Sequence, residues 1–540
     1  MAPNGAVTRR EWTWAAAVGA VALALTSVPY LLGLALQTDE RIFGGCVYAV
    51  EDVYSYLAKM RQGAEGAWLF HIAYTPEAHP GALFFPFHLL LGKLAGLLPG
   101  GDLTSRLVGT YHAARLACGM GLLLTVYRFL AFFTGEVAVR RLAFLLVAFG
   151  GGLGWLLIAL GRPDWLGSLP LDLILPEGFT FLVLYAFPHI ALARTLLLWG
   201  MMSLLGAWGE SPKSEARGRG LALAVLTGLC WLLMGLIVPF YVPLAWAVTG
   251  AMGAALAIRR RRWPWREARR AVIAGLLSAP IVIYNVWVFT SDPVYAAWAA
   301  QNRILSPHPL HYLAAFGIPL VLAVVAARRA WRDEGLGWAA LAWVAVVPLL
   351  VYLPFNLQRR LVEGVQLPLS LLAAWGVCGF RVQGFRWRAV MVALVTALAL
   401  TNGVLVMGNS AALVSRPAPV FRDAGEVAAL DWLSGRVAPD DVVLAAYETG
   451  NYLPARVGAR AFVGHGPESV RADEKRALVA EFFAADTLDA WRQALLDEYG
   501  VDWLFWGPVE RGLGGFDPHG APYLQRVYQD GEYEVFEVMR

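Results

Sequence analysis

Long apolar runs recur along this 540-residue chain from near its N-terminus to about Gly408. A helix needs about 20 apolar residues to cross the roughly 30 Å hydrocarbon core of a membrane. With 58% hydrophobic and only 16% charged residues, the chain contains enough apolar sequence for many such helices. We therefore predict a polytopic α-helical membrane protein with about eleven transmembrane helices. The predicted crossings are 12–36, 107–133, 142–160, 179–208, 221–238, 241–258, 271–290, 313–327, 336–355, 367–380 and 389–408.

Arginine clusters predict the orientation of these helices, because cytoplasmic loops of membrane proteins have an excess of Lys and Arg. The basic segments alternate with the predicted crossings, which makes the N-terminus cytoplasmic and places the region after Gly408 on the outer side. The apolar stretch 81–99 would break this alternation as a crossing, so we expect it to lie along the membrane surface. The basic segments contain Arg9 and Arg10; Arg140 and Arg141; Lys213, Arg217 and Arg219; Arg259 to Arg262 with Arg266, Arg269 and Arg270; Arg328, Arg329 and Arg332; and Arg381, Arg386 and Arg388.

Charge separates the chain into two parts. Acidic residues outnumber basic residues after Asn409. The membrane part has an excess of basic residues, which makes the formal net charge of the whole chain +4. Because that excess lies in the loops that set topology, it does not indicate nucleic acid binding. We expect membrane lipid as a partner and no nucleic acid.

The region after Gly408 has the strand and helix patterns of a compact domain. The stretches DVVLAA, AFVG and VDWLFWG are typical of strands, with helical patterns near 470–485 and 487–499. Asp530 and Gly531 separate two final strand-like runs and predict a hairpin. We therefore predict a transmembrane domain over 1–408, with interfacial helices in an outer loop one (37–106), and an extracytoplasmic α/β domain over 409–540.

Two adjacent carboxylates, Glu51 and Asp52, follow the first crossing at the start of the sequence EDVYSYLAKM. At 100° per residue this helix has an apolar and a polar stripe, typical of a helix in the membrane interface with its apolar face toward lipid. In one interpretation the two acids only solvate the helix and favour its positive N-terminal end. In the other they take part in chemistry, which is favoured because few other acids are predicted on the outer side of the membrane part. The apolar stripe contains Val53, Leu57 and Met60, and the polar stripe contains Asp52, Ser55, Tyr56 and Lys59.

The order of motifs in loop one resembles the GT-C glycosyltransferases. EDVYSYL is followed by a Gly-x-Trp, then by HPGALFFPFHLLLGKLAG and by SRLVGTYHAARLACGMGLLLTVYRFL. The third motif is similar to the family's His/Lys-Pro-Pro-Leu surface helix, although Gly81 replaces the second proline. The family includes bacterial protein O-mannosyltransferases and lipid A aminoarabinose transferases, which take sugars from polyprenyl-phosphate carriers. The resemblance covers about the first 140 residues and the overall layout.

This resemblance implies a GT-C-like fold and an inverting integral membrane glycosyltransferase. Such an enzyme would move a hexosyl or pentosyl group from a polyprenyl-phosphate carrier to a glycan, lipid or protein acceptor outside the cytoplasm. The protein is then expected in the bacterial inner (plasma) membrane, with a role in the cell envelope.

The resemblance also assigns the catalytic base to the acid at the start of the loop-one helix. Asp52 matches that position best, with Glu51 as the alternative, and Tyr56 lies nearby as a candidate acceptor- or sugar-binding residue. An inverting displacement needs one carboxylate within hydrogen-bond reach of the acceptor hydroxyl, whereas a lipid phosphate leaves without a protein acid. One carboxylate is therefore sufficient.

The departing phosphate requires positive charge, best supplied by guanidinium groups. The stretch FNLQRRLVEG places Arg359 and Arg360, with Gln358 beside them, just before a short helix near the end of the membrane part. In the GT-C enzymes a basic residue at a similar place binds the donor phosphate, so the resemblance implies this role for the three residues. The alternative is that the arginines anchor a helix end among lipid headgroups.

Two other outer segments contain candidate acceptor- or sugar-binding residues. Glu177 would orient the acceptor or bind a divalent cation as an oxygen ligand. Equally, Pro176 and Glu177 would start a helix with an acid in its first turn. His189 follows Pro188, where a kink would expose the ring to a cavity; the alternative is a core histidine with satisfied hydrogen bonds.

The second of these segments, 291–312, contains Trp298, Gln301, Asn302 and Arg303. A stacking ring beside two amides is typical of sugar contacts, and the alternative is a polar loop. The histidines of loop one lack the i, i+4 spacing of a zinc site, and the sequence leaves the identity of any metal or cofactor open.

The main alternative to an enzyme is a transporter or lipid flippase with an accessory outer domain. Such proteins bury ionisable residues near the bilayer midplane and often consist of two similar halves. Here the acids gather in the predicted outer loops, and the sequence has no visible half-repeat.

Overall fold

The structure is a computed structural model, and it describes residues 5–209, 214–379 and 385–539. The predicted basic residues that lie outside this description are Lys213 and Arg381, together with the side chains of Arg217, Arg386 and Arg388.

The described chain is mostly helical, with seven strands. The helices are α1 (Arg9–Leu36), α2 (Val50–Ala64), α3 (Pro86–Leu97), α4 (Leu103–Phe133), α5 (Val137–Phe149), α6 (Gly154–Ala159), α7 (Leu171–Ile174), α8 (Thr180–Ala186), α9 (Pro188–Gly209), α10 (Ser214–Ile237), α11 (Tyr241–Arg260), α12 (Trp265–Ser291), α13 (Pro293–Gln301), α14 (Pro309–Arg332), α15 (Gly337–Leu350), α16 (Gln366–Gly379), α17 (Phe385–Leu413), α18 (Ala424–Ser434), α19 (Tyr447–Arg456), α20 (Ala472–Phe483), α21 (Asp489–Glu498) and α22 (Pro508–Arg511). The strands are β1 (Arg41–Phe43), β2 (Phe421–Asp423), β3 (Val442–Leu444), β4 (Arg460–Ala461), β5 (Val501–Trp506), β6 (Leu524–Asp530) and β7 (Tyr533–Val538).

Nine helical segments in the described part of the chain are long and apolar enough to cross a membrane. The chain is therefore a multi-pass α-helical membrane protein with a C-terminal sheet region, as predicted. The nine segments are α1, α4, α9, most of α10, α11, α12, α14, most of α17, and the stretch Gln358–Gly379 that ends with α16.

Two predicted crossings are shorter than expected. The run 142–160 breaks because α5 ends at Phe149 and three glycines follow. Gly151 donates its N–H to the carbonyl of Leu398, and a Cβ at Gly152 would lie 2.3 Å from the carbonyl oxygen of Ala315, so only glycine fits this close approach. The run 336–355 yields only the 14 residues of α15, after which the chain turns.

By the proximity of their Cα atoms, the residues form two units. Unit 1 comprises Met1–Val28, Ala114–Val286 and Arg303–Gly408. Unit 2 comprises Pro29–Ala113, Trp287–Asn302 and Asn409–Arg540. Loop one therefore belongs to unit 2 together with Asn409–Arg540, which we call the C-terminal segment.

At the centre of unit 1 lies α16, which packs against α5, α14 and α15. Almost all residues of its 18-residue apolar window are buried, although the segment has the composition of a membrane span. Continuous apolar sequence is expected for a helix that is surrounded by other helices.

Unit 2 is built around a mixed five-stranded sheet of order β4-β3-β5-β7-β6. The strands β4, β3 and β5 are parallel, and β7 pairs antiparallel with β5 and β6. The predicted hairpin joins β6 to β7, with Gly531 at φ 56° in its turn. A separate antiparallel pair, β1 with β2, joins loop one to the C-terminal segment.

The loop-one helix α2 is buried more deeply than predicted. Its apolar stripe of Val53, Leu57 and Met60 is at most 2% exposed and packs in a core shared with α19 and the sheet. The expectation that this face points toward lipid is therefore wrong. The stripe is buried in protein because α2 packs against both α3 and α19, and this burial removes the apolar side chains from water as lipid would.

The surface stretch 81–99 forms α3, whose 12 residues make it about 18 Å long. That length is too short to cross a membrane. Its exposed side contains Leu90, Leu94 and Leu97, as expected for a helix that lies along the membrane surface.

Candidate active site

The first turn of α2 presents both candidate carboxylates. Ala49 precedes the helix in the left-handed region, at φ 48°, and turns the chain into α2. Glu51 and Asp52 then occupy the first turn, where the positive end of the helix dipole stabilises negative charge. The Glu51 residue is exposed, and the Asp52 side chain is 44% exposed, so both are accessible from solution.

Asp52 contacts an imidazole from the C-terminal segment. Its Oδ1 lies 3.1 Å from Nε2 of His465, a residue 413 positions later in the chain. Burial alone would lower the pKa of His465, but the contacts with Asp52 and Glu468 raise that pKa to about 9. At neutral pH the His465 ring is therefore a cation that favours the ionised form of Asp52.

Glu51 has a different partner. The hydroxyl of Tyr447 donates a 2.9 Å hydrogen bond to Glu51 and accepts one from the backbone N–H of Gly466 at 3.0 Å. Burial and the charge of Glu51 raise the pKa of Tyr447 to about 12, so the hydroxyl remains a donor at neutral pH. The two adjacent acids are thus held by different elements.

Lys59 lies two turns after Asp52 on α2 and binds the same C-terminal segment. Its Nζ is 2.6 Å from Oε1 of Glu468 and also contacts the carbonyl and hydroxyl of Ser55. The Lys59 and Glu468 side chains are only 1% and 7% exposed. Although burial would raise the pKa of Glu468, the charges of Lys59 and His465 lower it to about 2.

The aromatic candidates of unit 2 lie among other rings. Tyr56 stacks on His88, with ring centroids 4.7 Å apart and planes within 12°. Trp298 packs against Phe84 and Phe289 at centroid distances of 5.9 and 5.8 Å. A sugar-binding role for Tyr56 or Trp298 stays a prediction.

The amides of Gln301 and Asn302 contact the segment 465–471. Gln301 donates to the carbonyl of Ser469 at 2.7 Å and accepts from the N–H of Arg471 at 3.1 Å. Asn302 donates to the carbonyl of Pro467 at 2.8 Å. These contacts fix the segment that presents His465; sugar binding by the two amides stays a prediction.

Unit 1 brings together candidate residues predicted from two separate loops, since the turn with Gln358, Arg359 and Arg360 contacts Glu177. Arg359 and Arg360 lie in a short 3-10 turn, Gln358–Val362, just before α16. Arg360 Nε is 3.5 Å from Glu177 Oε1, and the two side chains are 39% and 4% exposed. Gln358 accepts a 3.0 Å hydrogen bond from the N–H of Ser306 and so fixes the start of the turn. The guanidinium of Arg360 therefore has a carboxylate that orients it.

A second ion pair in unit 1 is fully buried. Arg194 on α9 forms a bidentate ion pair with Glu363: its Nε donates to Oε1 at 2.5 Å and its Nη2 donates to Oε2 at 2.9 Å. Tyr241 donates to the same carboxylate at 2.6 Å, and Arg194 also donates to the carbonyls of Pro176 and Glu177. The pair thus joins α9, α11, the turn before α16 and the stretch that contains Glu177.

The predicted break beside His189 is present, because α8 ends at Ala186 and α9 begins at Pro188. His189 is nevertheless only 8% exposed, with its ring at the edge of Phe187. A role for His189 in acceptor or sugar binding stays a prediction.

Among residues 5–209, 214–379 and 385–539, no group of three or more His, Cys, Asp or Glu side chains is arranged to hold a metal ion. Glu177, proposed from sequence as an oxygen ligand or an acceptor contact, is engaged with Arg360. Its part in acceptor binding stays a prediction.

Sequence reasoning missed the partners of the two acids. Tyr447, His465 and Glu468 follow Asp52 by some 400 residues, and no local pattern connects them. Lys59 lies on the same stripe of α2 as Asp52, but its need for a counter-ion follows from the burial of α2, which the sequence did not predict.

No protein-family model matches the sequence, and no curated protein sequence matches it. Solved structures do match. ArnT from Cupriavidus metallidurans in the apo state aligns with a TM-score of 0.52 at 13% identity, over 97% of this chain and 98% of that one. ArnT bound to undecaprenyl phosphate aligns at 0.48 and 14% identity, again over 97% and 98% of the two chains. The oligosaccharyltransferase AglB from Archaeoglobus fulgidus, in complex with an inhibitory peptide and a dolichol-phosphate, aligns at 0.46 and 12% identity, over 90% and 69%.

The alignment with apo ArnT extends over nearly the whole of both chains, and at 13% identity it concerns the fold. The motifs of loop one predicted the same fold from sequence. The chain therefore has the GT-C-like fold of a polytopic membrane protein, as the resemblance predicted.

Proposed function

We propose that the protein is an inverting glycosyltransferase that moves a sugar from a polyprenyl-phosphate carrier to an acceptor at the outer face of a bacterial inner membrane. The observation that supports this most directly is Asp52, a half-exposed carboxylate at a helix start whose Oδ1 contacts the His465 ring. An ionised, oriented carboxylate is what activation of an acceptor hydroxyl requires. The GT-C-like fold and the order of motifs in loop one support the same reaction.

In this proposal Asp52 takes the proton of the acceptor hydroxyl as the acceptor oxygen bonds to the anomeric carbon. The bond from that carbon to the phosphate oxygen breaks on the opposite face, and its electron pair leaves with the polyprenyl phosphate. The configuration at the anomeric carbon inverts because the reaction is a single displacement. The transferred group is a hexose or pentose, and the acceptor is a glycan, lipid or protein.

Arg359 and Arg360 are proposed to bind the donor phosphate, with Gln358 fixing their turn. The Arg360 guanidinium is oriented by Glu177 and remains 39% exposed. Guanidinium groups suit this role because they form paired, charge-assisted hydrogen bonds with phosphate.

An assay in reconstituted vesicles that follows both sugar transfer and movement of the sugar-lipid separates this proposal from the transporter or flippase alternative. The purified protein would be reconstituted in vesicles with a bacterial envelope extract that supplies polyprenyl-phosphate sugars and acceptors. We expect mass spectrometry to detect free polyprenyl phosphate and a glycosylated acceptor. Movement of intact sugar-lipid across the bilayer, with no loss of its sugar, would instead support the flippase.

Replacing Arg359 by Ala is expected to weaken donor binding by about 10-fold or more, since a hydrogen bond to a charged group contributes about 1.5–3 kcal/mol. For Arg360 the informative variant is Arg360→Ala combined with Glu177→Gln, which avoids leaving the buried Glu177 carboxylate without its partner. Donor affinity is measured by titrating a polyprenyl-phosphate sugar against protein in nanodiscs.

The matched control replaces two exposed arginines of the predicted cytoplasmic loop, Arg262→Ala with Arg269→Ala. This change should leave donor affinity within about two-fold. Equal affinities in the control, the Arg359 variant and the Arg360 double variant would exclude the proposed phosphate contacts.

A further inference from the structure

The contact between Asp52 and His465 is one end of a chain of charged groups. His465 Nδ1 lies 3.4 Å from Glu468 Oε1, too long for a strong hydrogen bond but close enough for an ion pair. The same Glu468 oxygen is 2.6 Å from Lys59 Nζ. A carboxylate, an imidazole, a second carboxylate and an ammonium thus follow one another, beginning and ending on α2.

The imidazole in this chain is held in one orientation. The side chain of His465 is only 6% exposed and sits between Asp52 on one side and Glu468 on the other. The backbone around it is also fixed, because the N–H groups of Glu468 and Ser469 both donate to the carbonyl of His465. The hydroxyl of Ser469 in turn accepts from the N–H of Gly464 at 3.0 Å.

Charged and titratable groups face His465 from each element packed against it. His465 contacts Asp52 of α2, Glu468 of its own segment and the Tyr74 ring of loop one, with ring centroids 5.7 Å apart. Three further groups lie beside these: Lys59 pairs with Glu468, and the Tyr447 hydroxyl of α19 bonds to Glu51 and to the N–H of Gly466. The contacts with Asp52 and Glu468 outweigh the effect of burial and raise the pKa of His465 to about 9. The ring is therefore protonated over the neutral range.

A protonated ring that donates to Oδ1 of Asp52 has two consequences for a carboxylate base. It fixes the rotation of the carboxylate, so that the second oxygen is directed away from the ring. It also keeps the carboxylate ionised, because a neighbouring positive charge favours the charged form. The ring keeps its own proton while Asp52 accepts the proton of the acceptor, so His465 acts through Asp52.

We infer that His465 and Glu468 are positioning residues of the transfer site, through which the C-terminal segment orients Asp52 and keeps it ionised. This inference rests on the proposed function. It assigns the C-terminal segment a direct part in the reaction.

The test compares His465→Gln with His465→Ala in sugar transfer from a polyprenyl-phosphate donor between pH 6 and 10. Wild-type kcat should fall as the pH rises through about 9, where His465 loses its charge. Glutamine keeps an N–H donor for Asp52 but does not titrate, so His465→Gln should lose this alkaline limb. His465→Ala should lower kcat by about 100-fold, because the carboxylate is no longer oriented, with KM for the donor within about two-fold.

A matched control is His519→Gln. His519 belongs to the same C-terminal segment and also lies between two carboxylates, with Nδ1 2.6 Å from Asp517 and Nε2 2.8 Å from Glu534. This variant should keep the wild-type pH profile. An alkaline limb that persists unchanged in His465→Gln would overturn the inference, since a purely structural histidine would not set the profile.

A measurement without turnover separates this inference from the proposed function. Nuclear magnetic resonance of histidine-labelled protein, with His465→Gln to assign the signal, gives the pKa of His465 directly. Asp52→Asn should lower that pKa, and an unchanged value would show that the ring and Asp52 are not coupled. If wild type couples the two residues yet transfers no sugar, the proposed function is the part that fails.

Discussion

Replacing Asp52 by asparagine is expected to lower sugar transfer by about 1,000-fold, within the range that general base catalysis usually contributes. Asparagine has nearly the same shape as aspartate, and its carbonyl oxygen can still accept a hydrogen bond from Nε2–H of His465. The variant therefore removes the basicity and charge of Asp52 and little else. The rate is measured as release of polyprenyl phosphate by purified protein in nanodiscs, at saturating donor.

The matched control is Asp39→Asn, the same change at an exposed acid of loop one. This control should retain the wild-type rate. Glu51→Gln, tested in parallel, should have a smaller effect than Asp52→Asn, because Glu51 is bound by the Tyr447 hydroxyl. Full activity in Asp52→Asn together with loss of activity in Glu51→Gln would transfer the role of base to Glu51.

The second large effect concerns the stability of unit 1. Replacing Arg194 by methionine is expected to lower the free energy of unfolding by about 3–5 kcal/mol, the usual cost of leaving one partner of a buried ion pair. Glu363 is 0% exposed, so water cannot replace the two hydrogen bonds from Arg194. The free energy is measured by titration with sodium dodecyl sulfate in mixed micelles.

Two controls show whether the lost charge partner is the cause. Thr195→Ala removes a hydroxyl that bonds only to its own helix, and it should change the free energy of unfolding by less than about 0.5 kcal/mol. Arg194→Met combined with Glu363→Leu removes both charges and should recover most of the loss. A double variant no more stable than the single one would contradict the account of this pair.

The membrane helices were predictable because their pattern is local. Runs of apolar residues predict both ends of α1, α4 and α11 closely, and they predict the C-terminal ends of α10 and α12, whose observed starts are several residues earlier. The run 142–160 was not predictable in this way, because hydropathy does not distinguish a helix from the apolar glycine stretch Gly150 to Gly152. Glycine is required there because the backbone packs closely against other helices of unit 1, which no single segment of sequence reveals.

Of the candidate site, the sequence predicted the acids on α2 but not their partners in the C-terminal segment. Glu51 and Asp52 stand out as acids in an amphipathic helix, and the helix lies where the sequence predicts it. The burial of that helix against the C-terminal segment is a tertiary effect, so His465 and Glu468 have no signal near Asp52. The apolar stripe of α2 fits a protein core as well as it fits lipid, because both remove the same side chains from water.

The buried pair of Arg194 and Glu363 had a signal that was overlooked. A charged residue within an apolar run is costly unless it has a partner, so Arg194 in the crossing 179–208 predicts a nearby acid. Sequence alone does not say which acid, since Glu177 and Glu363 are both candidates. The geometry distinguishes them, because Glu363 pairs with Arg194 whereas Glu177 pairs with Arg360.

Native mass spectrometry of the lipid bound to the protein tests the central claim most directly. Wild type and Asp52→Asn would each be incubated with a polyprenyl-phosphate sugar and an envelope extract, then ejected from micelles. Wild type should be found with polyprenyl phosphate, the product, whereas Asp52→Asn should be found with the intact sugar-lipid. Two results would contradict the claim that Asp52 activates the acceptor for attack on a polyprenyl-phosphate sugar. One is intact sugar-lipid on both proteins, and the other is no polyprenyl-phosphate carrier on either.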